Sequence, residues 1–246
     1  MIRLEDSLAF NYGIGVFETM KMIDGKIEYL YDHLERLESS LKVIRLDNYS
    51  QKNIEKKMND YLFENSIENG ILKVLINDMG IFISHRENPY RPEDYSNGFK
   101  VKISDVQILP KSVYTIKSSN YMINYLELNK AKKEGFDEVI YFNTDKLLSE
   151  GSKSNIFLIH NYEITTPALK SGCLEGIIRK KILTEKTFKF VEKDICLSDL
   201  MKADAVFLTN SIMGVMPVKQ IGEKIYGSAD NETIKNLIEI YSKRGK

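Results

Sequence analysis

The stretch that decides the fold is Tyr114-Thr-Ile-Lys-Ser-Ser-Asn-Tyr121, with Lys117 near its centre. Most lysines of this chain stand in charged runs, but Lys117 follows the apolar side chains of Val113 and Ile116. An amine among such neighbours is expected to be partly desolvated, and desolvation favours the neutral form that attacks carbonyls. The alternative is a lysine at a strand end whose ammonium reaches water. The elements around Lys117 decide between these two interpretations.

Length and composition limit the classes of protein that the chain can belong to. Its 246 residues suit one large domain or two small ones, and 35 basic residues balance 35 acidic ones. No basic tract stands out, so neither nucleic acid nor an anionic membrane is an expected partner. No apolar run approaches the roughly 20 residues that span a bilayer, and the start lacks a signal-peptide core. We expect a cytoplasmic protein.

The cysteines and histidines do not predict a metal site. Cys173 and Cys196 lack metal-ligand spacing, and we expect them to be free thiols in a reducing compartment. The three histidines pair with no Cys or Asp cluster, so neither zinc nor a Ser-His-Asp triad is predicted.

The first half of the chain, residues 1–109, is predicted to be an α/β domain. Two close glycines in Asn11-Tyr-Gly-Ile-Gly15 predict a tight turn, and Asp24-Gly25 predicts a hairpin. The other predicted elements are, in order, strands over 17–22 and 26–30, a helix capped by Asp32, a helix over 51–65, strands over 71–76 and 81–83, a loop over 86–98 and a strand over 101–109.

Pro110-Lys-Ser is the best linker signal, so we place the boundary there and assign residues 110–246 to a second domain. The predicted elements are a helix over 120–134, strands over 137–142 and near 155–159, a helix start at 175–179, a strand over 188–195, a short helix capped by Ser198, a strand over 205–209 and a helix over 231–241.

Four positions carry charge or backbone donors that suit an anion or a cofactor. Arg36 is either a solvated partner of Asp32 or an anion clamp on a helix flank. The arginines of the loop over 86–98, Arg86 and Arg91, stand either in a polar surface loop or against a substrate carboxylate. Glu150 brings a carboxylate to a strand end beside a Gly/Ser loop, and the helix start at Gly176 offers free N–H groups to an anion.

Nearly the whole chain resembles the fold-type-IV pyridoxal-phosphate enzymes, which include branched-chain and D-amino-acid aminotransferases and aminodeoxychorismate lyases. The resemblance rests on several segments in family order and spacing: Gly15-Val-Phe-Glu-Thr19 with His33-Leu-Glu-Arg-Leu37, Lys117-Ser-Ser-Asn-Tyr121, Gly135-Phe-Asp-Glu138, Ser149-Glu-Gly-Ser-Lys-Ser-Asn-Ile-Phe157 and Leu174-Glu-Gly-Ile-Ile-Arg179. It implies two domains in a mixed α/β and α+β fold: a small α/β domain, then a larger pseudo-barrel domain with flanking helices.

The resemblance also implies a role for each matching residue. Lys117 would form the Schiff base with pyridoxal 5'-phosphate, and Tyr121 would hydrogen-bond the phenolate oxygen of the ring. Glu150 would keep the pyridine nitrogen protonated, which makes the ring an electron sink. The residues that would hold the phosphate are Arg36, the backbone N–H groups of Ile177 and Ile178, and the polar pair Asn210 and Ser211. Arg86 is the candidate for the substrate carboxylate.

Two departures from the aminotransferases favour the lyase branch of the family. Ile178 stands where many aminotransferases have Thr, and Thr209-Asn-Ser-Ile-Met-Gly-Val-Met-Pro-Val218 replaces a stretch rich in Thr, Ser and Glu. The expected function is therefore a lyase that converts 4-amino-4-deoxychorismate to 4-aminobenzoate and pyruvate in folate biosynthesis.

Two other functions stay open. One is a D-amino-acid or branched-chain aminotransferase of the same fold, and the other is a ligand-binding protein without catalysis. Members of the family usually form homodimers, so the resemblance implies a homodimer here.

Overall fold

The computed structural model describes residues 3–110 and 116–243. Its strands are β1 Val16–Ile23, β2 Lys26–Ile27, β3 Gly70–Asn77, β4 Gly80–Arg86, β5 Phe99–Ile103, β6 Glu138–Phe142, β7 Leu148–Gly151, β8 Asn155–His160, β9 Glu163–Pro167, β10 Phe190–Lys193, β11 Ala205–Asn210, β12 Gly214–Ile221 and β13 Lys224–Ile225. Its α-helices are α1 Leu8–Tyr12, α2 Leu30–Val43, α3 Gln51–Glu64, α4 Pro92–Asn97, α5 Met122–Lys133, α6 Ile177–Leu183, α7 Leu197–Lys202 and α8 Glu232–Lys243.

The described chain divides into two compact units. The first contains the residues up to Pro89 together with the short segment Ile116–Tyr121, and the second contains the rest. This division differs from the predicted boundary at residue 109, because the chain leaves the first unit at Pro89 and returns to it with Lys117. The predicted domains 1–109 and 110–246 stay a prediction.

The first unit is built on a four-stranded sheet in the order β2-β1-β3-β4. Its three strand pairs are antiparallel, although the alternation of strands and helices had indicated a βαβ-like half. The face of β1 that carries Val16 and Met20 packs with Leu34 and Leu37 of α2 and with residues of α3 in one apolar core. Burial of these side chains fixes which residues of β1 point to the opposite face.

The second unit is built on a nine-stranded mixed sheet. Its strands follow the order β10-β9-β8-β11-β12-β5-β6-β7, and β13 pairs with β12. The pairs β9–β10, β5–β6 and β5–β12 are parallel, whereas β8–β11 and β11–β12 are antiparallel. Apolar residues of β5, β8, β11 and β12 form the main core of this unit. The mixed α/β fold class that the family resemblance implied is confirmed.

Two predicted caps are wrong. The helix α2 begins at Leu30, after Tyr29 in the left-handed conformation with φ 54°, so Asp32 lies inside the first turn. There its carboxylate suits the positive end of the helix dipole. The helix α7 begins at Leu197, and the Cys196 N–H donates to the Asp199 carboxylate at 2.9 Å, so Ser198 is not its cap.

Two predicted extents are also wrong. The loop over 86–98 contains α4, because Pro92 suits the first position of a helix and Gly98, with φ 70°, ends it. The strand from Val101 ends at Ile103 rather than at residue 109. The Ser104 hydroxyl accepts from the Val106 N–H at 3.0 Å, and this local turn replaces the ladder.

Two findings bear on partners and metals. None of the helices within residues 3–110 and 116–243 is long and apolar enough to cross a membrane. The described part of the chain contains no cluster of three His, Cys, Asp or Glu side chains that would hold a metal ion. Cys173 and Cys196 are free thiols, as predicted.

Candidate active site

Lys117 lies on a short segment that is hydrogen-bonded to the start of β1. The Phe17 N–H donates to the Lys117 carbonyl at 3.0 Å, and the Ser119 N–H donates to the Gly15 carbonyl at 2.8 Å. The Ser119 hydroxyl also donates to the Gly13 carbonyl at 2.6 Å. The glycine-rich turn and the lysine segment are therefore held together by backbone contacts. Val113 and Tyr114, which precede the segment, lie outside the described residues.

The Lys117 amine is half-buried between two aromatic rings. Its Nζ lies 4.7 Å from the ring centre of Phe17 and 5.8 Å from that of Tyr121. The two rings meet edge to face, with centres 5.6 Å apart. Tyr121 therefore lies beside Lys117, and the cofactor contacts predicted for both residues stay predictions.

A buried cluster of charged side chains lies on the core-facing side of β1. Glu18 is 1% exposed, and its carboxylate accepts from the Arg36 Nε at 2.7 Å and from an Arg36 Nη at 2.6 Å. The buried His33 Nδ1 lies 2.7 Å from the same carboxylate, and because a carboxylate only accepts, this nitrogen carries the proton. Two contacts from one guanidinium fix the orientation of the Arg36 side chain.

The cluster holds Glu18 as a carboxylate. Burial alone would raise its pKa, but the charge of Arg36 and the hydrogen bonds from His33 and Arg36 outweigh burial and lower the pKa to about 2. Burial lowers the pKa of His33 despite its contact with Glu18, and the charges of Arg36 and Lys117 lower it further. The imidazole is therefore neutral at pH 7, beside one carboxylate and two cations.

Arg36 differs from the solvated arginine that the sequence left open. Its side chain is only 17% exposed, and its partner is Glu18, which lies 18 residues earlier in the chain. The phosphate role predicted for Arg36 stays a prediction, and the structure supplies a fixed guanidinium for it.

Arg86 lies far from Lys117 along the first sheet. Phe17 of β1 pairs with Leu75 of β3, and Leu75 pairs with Phe82 of β4. Arg86 lies four residues after Phe82 along β4. Four residues of a strand correspond to about 14 Å. The Arg86 side chain is exposed at this distant end. Within the first unit Arg86 therefore lies away from Lys117, and the substrate role suggested for it stays a prediction.

Lys73 is a cation that the sequence did not single out. Its Nζ lies 4.6 Å from the ring centre of Phe17, the same ring that Lys117 approaches. Lys73 pairs with Thr19 in the ladder, on the face opposite the apolar core. The alternation of side chains between the two faces of a strand could have indicated that Lys73 lies opposite the core. Only the pairing of β1 with β3 shows that its amine lies beside the Phe17 ring that Lys117 also approaches.

In the second unit, Glu150 and Asn155 hold the backbone of the same residue. A Glu150 oxygen accepts from the Leu174 N–H at 2.9 Å, and the Asn155 side-chain amide donates to the Leu174 carbonyl at 2.8 Å. Leu174 lies two residues before Gly176, which precedes the first residue of α6. The carboxylate predicted for the pyridine nitrogen is thus tied to the segment that leads into the predicted phosphate helix.

Ile177 and Ile178 are the first two residues of α6, and their side chains are buried. N–H groups in the first turn of a helix have no acceptor within the helix. A Cβ at Gly176 would lie 2.0 Å from the Asn155 Oδ1, so this position has no space for a side chain. Arg179, 2% exposed, anchors the helix through the Pro167 carbonyl at 2.9 Å and the carboxylate of Glu192.

Asn210 ends β11 and organises the turn that contains Ser211. Its side-chain oxygen accepts from the N–H groups of Ile212 and Met213, both at 2.9 Å. Its amide nitrogen donates to the carbonyl of Lys153, in the turn after Glu150, at 3.1 Å. The second unit therefore brings together Glu150, the start of α6 and the Asn210–Ser211 turn, while the first holds Lys117, Tyr121 and Arg36.

Comparison with known proteins identifies the family to which the chain belongs. The sequence profile described as amino-transferase class IV matches residues 15–221. The aminodeoxychorismate lyase of Bacillus subtilis (strain 168) is 29% identical over 96% of this chain and 87% of that protein. A branched-chain-amino-acid aminotransferase of Pseudomonas aeruginosa is 29% identical over 94% of this chain and 84% of that protein.

A solved structure shows the same fold. It is the branched-chain aminotransferase of the thermophilic archaeon Thermoproteus uzoniensis with norvaline, with a TM-score of 0.86 and 24% identity over 96% of this chain and 86% of that one. The profile match covers most of the chain and includes Arg36, Lys117, Glu150 and Asn210. The chain belongs to the class IV aminotransferase family, whose members are pyridoxal-phosphate-dependent lyases and aminotransferases.

Proposed function

We propose that the protein is a lyase that converts 4-amino-4-deoxychorismate to 4-aminobenzoate and pyruvate, with pyridoxal 5'-phosphate as its cofactor. The 29% identity with an aminodeoxychorismate lyase over 96% of the chain supports the proposal, but an aminotransferase is equally identical, so the choice of lyase rests on two sequence features. The isoleucine at position 178 and the Asn210-Ser-Ile-Met-Gly214 turn support the lyase branch, because both depart from the pattern of the aminotransferases.

The side chains present fit the groups of this cofactor. An aldehyde needs an amine, and Lys117 offers one that is half-buried against two rings. A pyridine nitrogen that stays protonated needs a carboxylate, and the Leu174 N–H orients Glu150. A phosphate dianion suits a fixed guanidinium and the start of a helix, which Arg36 and α6 provide. Gly176 lets the Asn155 side chain pack against the backbone just before α6, because a Cβ there would lie 2.0 Å from the Asn155 Oδ1.

The chain's own residues would divide the work as follows. When bound, the cofactor supplies an electron sink for negative charge on the carbon that bears the substrate nitrogen. Lys117 would hold the cofactor through its Nζ and, once the substrate amine had displaced it, this Nζ would take the proton from the carbon that bears the substrate nitrogen. Glu150 holds a proton on the ring nitrogen. The C–O bond to the neighbouring enolpyruvyl group would then break, this group would leave as pyruvate with a proton from Lys117 or from water, and the substrate ring would become aromatic.

Lys73 is our candidate for a substrate carboxylate. Aminodeoxychorismate carries two carboxylates, and the Lys73 Nζ lies beside the Phe17 ring that Lys117 also approaches. An ammonium there would attract a carboxylate as a point charge.

Incubation of the purified protein with aminodeoxychorismate tests the function. We expect 4-aminobenzoate and pyruvate in equal amounts. Fluorescence measures 4-aminobenzoate, and a coupled enzyme assay measures pyruvate. Absence of 4-aminobenzoate, with amino-group transfer from D-alanine or leucine, would show that the lyase assignment is wrong. Amino-group transfer without 4-aminobenzoate would identify the alternative function, an aminotransferase. The match to a branched-chain aminotransferase over 94% of the chain favours this alternative.

We also propose a homodimer. The helix α5 exposes four large apolar side chains, Met122, Ile123, Tyr125 and Leu126. A contiguous apolar helix face of this kind is typical of a surface that another chain covers. Light scattering after size exclusion should give twice the mass of the chain, and Leu126→Asp should shift the protein towards the monomer. A wild-type monomer at micromolar concentration would contradict this proposal.

A further inference from the structure

Glu138 is a buried carboxylate for which the proposed reaction has no use. It is the first residue of β6, its side chain is 0% exposed, and its four hydrogen-bond donors are neutral. Two are backbone N–H groups, of Val139 and Ser152, and two are the hydroxyls of Ser152 and Ser154. An acidic group removed from water is costly unless its oxygens are satisfied in this way.

The carboxylate clamps the turn between β7 and β8 at two points. One oxygen accepts from the N–H of Ser152 at 3.2 Å and from the hydroxyl of the same residue. The other oxygen accepts from the Ser154 hydroxyl at 3.0 Å. A Cβ on Gly151 would lie 2.3 Å from that hydroxyl, so the glycine leaves the space in which Ser154 reaches Glu138.

This turn is flanked by the two side chains that hold Leu174. Glu150 precedes it and accepts from the Leu174 N–H at 2.9 Å, and Asn155 follows it and donates to the Leu174 carbonyl at 2.8 Å. Glu138 is hydrogen-bonded to Ser152 and Ser154, and only Gly151 separates Ser152 from Glu150, while Asn155 follows Ser154 directly. Glu138 is thus connected with Glu150 and with the segment that leads into α6. A fixed turn limits the directions in which Glu150 can point.

We propose that Glu138 is a positioning residue that holds Glu150 on the Leu174 N–H by fixing the 152–154 turn. This inference rests on the proposed function in one respect, that Glu150 is the carboxylate that serves the cofactor nitrogen. A carboxylate suits the position because it only accepts, whereas a glutamine would turn an NH₂ group towards another donor.

A double-mutant cycle on kcat distinguishes positioning from simple stabilisation. Glu138→Gln should lower kcat at least about tenfold, the size typical when a group that orients a reactive side chain is changed. In protein that already carries Glu150→Gln, the same change should lower kcat less than about twofold, because its effect passes through Glu150.

Ser228→Ala is the control: its buried hydroxyl accepts from the Val206 N–H at 3.0 Å, away from this turn. The proposal would be overturned if Glu138→Gln lowered kcat by the same factor with and without Glu150→Gln. It would also be overturned if Glu138→Gln lowered kcat no more than Ser228→Ala does.

Hydrogen exchange supplies a readout that needs no turnover. In the holoenzyme, the Leu174 amide should exchange at least about tenfold faster in Glu138→Gln than in wild type, and Ser228→Ala should leave it unchanged. If Glu138→Gln does not fold, Ser154→Ala keeps the carboxylate and should give a smaller increase at the same amide. Unchanged exchange at Leu174 in the folded variant would overturn the proposal. If the wild type forms no 4-aminobenzoate, the cycle is measured on amino-group transfer from D-alanine or leucine, so the two proposals fail separately.

Discussion

Replacing Glu18 by Gln should remove about 3 kcal/mol from the free energy of unfolding at pH 7. Glu18 is 1% exposed and contacts His33 Nδ1 at 2.7 Å and Arg36 at 2.7 and 2.6 Å. Burial alone would raise its pKa, yet the charge of Arg36 and the hydrogen bonds lower the pKa from 4.5 to about 2. At about 1.4 kcal/mol per pKa unit this shift corresponds to roughly 3 kcal/mol. Removal of one partner from a buried ion pair typically costs about 3–5 kcal/mol, which agrees.

The same carboxylate gives this stabilisation a defined pH dependence. Because the folded pKa lies below the ordinary value of 4.5, the stabilisation is complete above about pH 4.5 and is lost as the pH falls through about 2. The difference between wild type and Glu18→Gln should therefore shrink to about half between pH 7 and pH 3. Urea titrations followed by circular dichroism at both pH values measure it.

The matched control is Glu64→Gln, which changes an exposed carboxylate on α3. We expect it to alter the free energy of unfolding by less than about 0.5 kcal/mol. A loss below about 1 kcal/mol for Glu18→Gln at pH 7, or an equal loss at both pH values, would refute the reasoning about the buried cluster.

Three further predictions concern the start of α6, the open face of the first sheet and a buried arginine. Gly176→Ala places a Cβ 2.0 Å from a side-chain oxygen and should weaken cofactor binding at least about tenfold in a fluorescence titration, whereas Gly227→Ala, with open space at its Cβ, should not. Lys73→Met should raise KM for aminodeoxychorismate about tenfold and leave kcat within about threefold, because its Nζ is proposed to bind a carboxylate and not to react. Arg179→Met should lower the free energy of unfolding, measured by urea titration, by about 2 kcal/mol. The substitution removes an ion pair and a hydrogen bond to a carbonyl from a side chain that is 2% exposed. An unchanged value in any of these assays would contradict the contact on which that prediction rests.

The local features of the chain could be predicted from the sequence. Asp24-Gly25 does form the turn after β1, with both residues at positive φ. Gly135 follows α5 and has a φ of 85°. A residue without a Cβ adopts this left-handed conformation at low energetic cost, so a glycine there ends a helix. The helix start predicted at 175–179 lies at Ile177. Each of these signals lies within a few residues of the structure that it determines.

The contacts between distant segments could not be predicted. Glu18 was part of a quoted family segment, but its partners His33 and Arg36 lie 15 and 18 residues later. Its place in the core-facing register of β1, between Val16 and Met20, was the available signal, because a buried carboxylate requires a partner. The return of Lys117 to the first unit depends on backbone pairing with Phe17, which is a hundred positions earlier in the chain.

Arg86 shows that the sequence alone does not give the distance between two residues of a sheet, and its substrate role stays a prediction. An arginine in a polar stretch was a reasonable substrate ligand, yet the antiparallel pairing of β3 and β4 places it at the end of the sheet away from Lys117. Lys73 lies in a strand that the sequence predicts to be buried, and the pairing of β1 with β3 brings its amine to the Phe17 ring. Strand register, which tertiary packing decides, separates the two cases.

The most direct test of the central claim is to find the lysine that binds the cofactor. Borohydride reduces the bond between an amine and an aldehyde to a stable one, so treatment of the holoenzyme followed by peptide mass spectrometry identifies the residue. We predict label on the peptide that contains Lys117, and neither label nor visible absorbance in Lys117→Ala. Label on Lys73 or Lys153, with Lys117 unmodified, would contradict the account.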